Sequence, residues 1–159
     1  MKSSEKRIAV IGVGNLLLGD EGVGVHTVAE LKKNILPPAV KVIDGGTAGI
    51  DLLYHLEDAN YAIIVDCIQA DAAAGTIFRI PFEELATGSP AETVSLHDLS
   101  LKDVLFLAKY LGRLPPTVIY GVQPETVRFS DQPSQSVRGA IPRLIELIKE
   151  EICNLMKEI

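Results

Sequence analysis

A chain of 159 residues with nearly half of them hydrophobic and 23% charged fits one globular domain, 1–159, which buries roughly 70% of its unfolded surface. A net charge of −6 speaks against nucleic acid or an anionic membrane as partner, since both demand a basic surface. Two cysteines without framework spacing, Cys67 and Cys153, suit a reducing cytoplasm, and no segment is apolar for long enough to span a bilayer.

The segment from Met1 to Arg7 is basic, but the apolar run after it is interrupted by Gly12, Gly14 and Asn15, so it reads as strand and loop rather than signal peptide. Ile8 to Val13 is a β-branched run bounded by glycines, as expected of a strand buried on both faces. After a loop from Gly14 to Gly22, the apolar spacing from Val23 to Leu31 predicts a helix that Pro37-Pro38 stops. Val40 to Ile43 is a second strand ending at Asp44 and the turn Gly45-Gly46-Thr47-Ala48-Gly49, followed by a short helix carrying Leu52, Leu53 and Leu56.

Tyr61 to Val65 is a third strand, ending at Asp66, and Thr76–Ile80 is an edge strand closed by Pro81 that could run antiparallel. The stretch from Glu83 to Leu99 is rich in Thr, Ser, Gly and Pro. A helix from Leu101 to Leu111, a strand from Thr117 to Val122 and a long helix from about Ser136 to Met156, bent by Pro142, complete the chain. Strands alternating with helices predict an α/β fold, a three-layer α/β/α sandwich around a mostly parallel twisted sheet of about five strands.

In such sheets ligands gather beyond the C-terminal strand ends, which singles out Asp20-Glu21, Asp44 and Asp66. Acids at a helix start also complement its dipole, and Asp20 need do no more than that. Gly12-Val13-Gly14 opens like a dinucleotide-binding turn, with Asp44 where a ribose-binding acid would sit. Yet Leu17 replaces the third glycine, and two carboxylates would repel a pyrophosphate. Nucleotide binding ranks last.

His26 and His55 fall within predicted helices, whereas His97 lies in the polar segment Ser95-Leu96-His97-Asp98. A histidine reaching two carboxylates would complete a mixed oxygen and nitrogen site for a divalent transition metal. The chain has no HExxH, no GxSxG elbow and no thiol-protease signature around Cys67. Gly45–Gly49 reads equally as a tight turn or as a source of amides for an extended peptide or an oxyanion.

Taken in order, Gly12-Val13-Gly14-Asn15, Gly19-Asp20-Glu21-Gly22-Val23-Gly24, Asp44-Gly45-Gly46-Thr47-Ala48-Gly49, Val65-Asp66, Ser95-Leu96-His97 and Gly121-Val122-Gln123-Pro124-Glu125 resemble the [NiFe]-hydrogenase maturation proteases from Ile8 to the final helix. The resemblance implies a cytoplasmic endopeptidase that removes the C-terminal extension of a nickel-loaded hydrogenase large-subunit precursor. It implies metal ligation by Glu21, Asp66 and His97, with nickel supplied by the substrate and other divalent metals able to occupy the site.

On that basis the nickel polarises the scissile carbonyl or activates a water, and Asp66 or Glu21 accepts a proton. Asp44, Gly45, Gly46, Thr47 and Gly49 hold the tail. A monomer docking transiently on its substrate is expected. The alternative is a nickel-binding metallochaperone or sensor using the same ligands without cleavage.

Overall fold

The computed structural model describes residues 5–47, 49–87, 94–95 and 101–158. Four strands lie parallel: β1 (Ile8–Gly12), β2 (Val40–Asp44), β3 (Tyr61–Gln69) and β6 (Thr117–Val122). The edge strand β4 (Ile77–Pro81) runs antiparallel to β6, giving the order β2-β1-β3-β6-β4, and the two-residue β5 (Val94–Ser95) pairs antiparallel with the end of β3.

Alternation along the strands divides the core. Ile8, Val10, Ile63, Val65 and Val118 face α1 (Val23–Leu31) and α5 (Gln135–Lys157), which contributes Val137, Ile141, Leu144 and Ile148. Ala9, Ile11, Ala62, Ile64 and Ile119 face α2 (Leu52–Glu57), α3 (Phe82–Thr87) and α4 (Leu101–Tyr110), through Leu52, Leu56, Phe82, Val104 and Leu105. The sandwich is the expected one. Its central strands β1 and β6 are buried at every residue, which is why they read as continuous apolar runs rather than alternating ones.

Three local features differ from the sequence reading. The third strand continues past Asp66 to Gln69, because β6 pairs with it at Asp66 and Cys67 and β5 pairs at Ile68 and Gln69. The stretch after Pro81 holds α3, with acids Glu83 and Glu84 in its first turn. The loop before α1 is not wholly irregular: Gly19–Gly22 forms a 3-10 turn with every residue buried. Pro142 sits inside α5 without ending it.

Beyond β1 the chain crosses by way of α1 to β2 on one side, while β3 lies on the other. The carboxyl ends of β1 and β3 therefore flank the point where strand order reverses, the place where open α/β sheets form their ligand crevice.

Candidate functional site

The connection from β1 to α1 is pressed onto this crevice. Val13 N–H donates to the Val65 carbonyl at 2.9 Å, continuing the strand by one bond. At Gly14, whose φ is +148°, a Cβ would stand 2.1 Å from the Glu21 carbonyl oxygen; at Gly24 a Cβ would stand 2.2 Å from the Val65 carbonyl oxygen and 2.4 Å from that of Val13. No side chain fits at either place. Gly14 of the dinucleotide-like turn and Gly24 of α1 are thus consumed in packing the 3-10 turn and the start of α1 against β1 and β3.

That packing buries three acids. Asp20 is 1% exposed, Glu21 3% and Asp66 1%. Asp66 accepts a hydrogen bond from the Cys67 amide at 2.8 Å, and by alternation it shares a strand face with Ile64 and Ile68, toward α2 and α4. The Cys67 thiol lies within the fields of all three carboxylates: burial first, then Asp66, Asp20 and Glu21, push it far above its ordinary range. The 3-10 turn that carries Asp20 and Glu21 packs against β3, which carries Asp66, and burial among these acids favours the neutral thiol of Cys67.

Asp20 and Glu21, adjacent in sequence, have different surroundings. The Asp20 carboxylate accepts from the amides of Glu125 at 2.8 Å, Thr126 at 3.4 Å and Ser134 at 2.6 Å, and from the Ser134 hydroxyl at 2.9 Å. It caps neither the 3-10 turn nor α1, since neither has a side-chain cap; the local capping role read for it from sequence gives way to a long-range one.

At the end of β2, Asp44 is exposed and its Oδ1 accepts from the Gly46 amide at 2.8 Å. Gly45 N–H donates to Gly12 O at 2.8 Å, and Gly14 N–H donates to Gly46 O at 2.7 Å. The Gly45-Gly46 turn is thereby fastened beside the β1 loop, with the amides of both glycines engaged internally. Exposed Thr47 and half-buried Gly49 continue the rim, and Ala48 lies outside the described residues.

His97 also lies outside the described residues, as does everything between Ser95 and Leu101. What is described is the strand that precedes it: Ser95 pairs with Ile68. His97 follows Ser95 by two residues, and Asp66 precedes Ile68 by two. Among the described residues no group of three His, Cys, Asp or Glu side chains has metal-holding geometry; these residues supply Glu21 and Asp66 alone of the three expected ligands. Among the described residues, too, no helix is long and apolar enough to cross a membrane.

Residues 25–151 match a family profile described as hydrogenase maturation protease. The hydrogenase 2 maturation protease of Escherichia coli K12 is 34% identical over 154 residues, covering 96% of this chain and 92% of its own. A hydrogenase expression/formation protein of Azotobacter chroococcum is 37% identical over 126 residues, a match spanning 78% of this chain and only 60% of that relative. Among solved structures, the hydrogenase maturating endopeptidase HybD from E. coli superposes with a TM-score of 0.81 at 35% identity over 93% of both chains. A hydrogenase 2 maturation peptidase from a Thaumarchaeota archaeon superposes with a TM-score of 0.70 at 31% identity, over 92% of this chain and 98% of that one.

Proposed function

Because the chain belongs to the hydrogenase maturation protease family, we propose that it is the endopeptidase that removes the C-terminal extension of a nickel-loaded [NiFe]-hydrogenase large-subunit precursor, acting as a cytoplasmic monomer. The observation that carries the reading is the burial of Glu21 and Asp66 from separate elements at the switch point of the sheet, with the strand leading toward His97 paired to the strand that carries Asp66. Two carboxylates and an imidazole are a donor set suited to a divalent transition metal such as nickel.

In this reading nickel belongs to the substrate and arrives with it. Bound nickel supplies Lewis acidity at the scissile carbonyl. The chain's own groups do the rest. Glu21 and Asp66 orient the loaded centre and give a buried acceptor for the proton released in hydrolysis. The rim formed by Asp44, Gly45, Gly46, Thr47 and Gly49 lies along the tail. With the amides of Gly45 and Gly46 already engaged, recognition there falls to the Asp44 carboxylate, to Thr47 and to the carbonyl oxygens of the turn. Burial and the acidic field around Cys67 disfavour its thiolate.

The test is incubation of the purified protein with nickel-loaded and nickel-free precursor from the same source, following the C-terminus by mass spectrometry. Loss of a short tail from the loaded precursor only, abolished by Glu21→Gln, is the expected result. An intact tail on a verified loaded precursor overturns the reading in favour of a nickel carrier.

A further inference from the structure

The connection from β6 to α5, residues 123–134, is tied by side-chain bonds to the chain beyond β3 and to Asp20. At its start Gln123, 3% exposed, accepts on Oε1 from the amides of Ala70 at 2.8 Å and Ala72 at 3.2 Å, and its Nε2 donates to Gln69 Oε1 and to the Pro124 carbonyl. Those partners, Pro124 apart, are the last residue of β3 and the chain just beyond it, a few residues past Asp66. Asp20, the neighbour of Glu21, accepts from the amides of Glu125 and Thr126 near the start of the connection and from the amide and hydroxyl of Ser134 at its far end. Between these ends the connection is stitched to the β1 loop, with Gly19 N–H donating to Ser130 O at 2.9 Å and Ser130 N–H to Leu17 O at 3.0 Å.

We infer that Asp20 and Gln123 are positioning residues for the cleavage reaction: through them the β6–α5 connection acts as a brace that fixes the Glu21 carboxylate relative to the Asp66 carboxylate. This rests on the preceding reading that Glu21 and Asp66 act on the substrate's nickel centre. The physical need is plain. Two acids carried by separate elements repel one another at close range, and a site whose ligands drift must be reassembled at each turnover. A buried carboxylate collecting four donors is a strong and directional tie. A primary amide with two acceptor and two donor bonds is a second one. Neither group has an orientation that brings it into the reaction, because its hydrogen-bonding capacity is spent within the chain.

Asp20→Asn keeps shape while setting an amide N–H₂ against incoming donors, and Gln123→Met keeps length while removing all four bonds. With nickel-loaded precursor, at a temperature where circular dichroism shows each variant folded, both should lower kcat by about 10- to 100-fold with KM little changed. Ser134→Ala should give a smaller loss and Ser134→Thr, which keeps the hydroxyl, should restore the rate; this pair decides the matter if Asp20→Asn does not fold. A lowered Tm with kcat at the wild-type value in Asp20→Asn and Gln123→Met overturns the inference by making the brace merely structural. Glu21→Gln processing at the wild-type rate instead sinks the reading of Glu21 on which the inference rests, and the inference with it.

Discussion

At Cys67 a thiol sits 1% exposed among three carboxylates, whereas Cys153 on α5 is exposed. A disulfide-exchange reagent at pH 8 should therefore titrate one thiol in the native protein and two after denaturation, and Cys153→Ser should abolish the native signal. His26 makes the opposite kind of statement. Its Nε2 is buried without a hydrogen-bond partner among the described residues. Burial, and then the Arg138 charge, hold the imidazole below its ordinary pKa, with Asp131 opposing them. The unfolded chain thus takes up a proton near pH 6.5 that the folded chain resists, so stability falls as pH drops below that value. Thermal melts at pH 7 and pH 5 should show a larger drop in Tm for the wild type than for His26→Gln. At Gly24 the geometry leaves no room for a methyl group, and Gly24→Ala should either fail to fold or lose several kcal/mol, about the upper end of single-residue effects.

Among the elements, α5 is held in two ways. Leu144 and Ile148 are fully buried against the sheet, and Glu151 accepts from Tyr120 Oη at 2.9 Å on β6 and from Arg79 Nε at 2.7 Å on β4. Leu144→Ala should cost about 2–5 kcal/mol in urea unfolding. Burial, and then the bond to Glu151, raise the tyrosine to about 12. A group whose folded pKa lies above its unfolded value gives stability that is complete below pH 10 and lost as pH rises toward 12; Tyr120→Phe should flatten the alkaline limb of the pH–stability curve across that window.

Elements with a strong period were the ones legible in sequence. β1 and β6 announce themselves as β-branched runs, and α5 by its apolar spacing over many turns. The 3-10 turn at Gly19–Gly22 is not legible in sequence, because its order comes from close packing on Gly14 and from the distant connection that binds Asp20, contacts that local propensity does not register. The end of β3 is hidden for a related reason: a polar Asp66 has the look of a strand terminus, and only its pairing with Gly121 of β6 carries the strand onward. Strand-end logic and the family resemblance single out Glu21 and Asp66 in the sequence, and the structure buries both. Local sequence presents Asp20 as a cap, because partners more than a hundred positions away leave no trace in it.

For the molecule as a whole, the sheet supplies a scaffold in which Asp20 and Glu21 are carried by the connection from β1 to α1 and Asp66 by strand β3 itself. A β1 loop that begins like a nucleotide-binding turn places buried carboxylates near the start of α1, where dinucleotide-binding relatives of this architecture offer free amides and a positive helix end to a phosphate. The close glycine contact leaves no gap for a pyrophosphate, and the local field has the reverse polarity. The same switch-point geometry thereby presents carboxylates where the nucleotide-binding version presents free amides: the residues between β1 and α1 set the polarity of the crevice while the architecture around it stays unchanged.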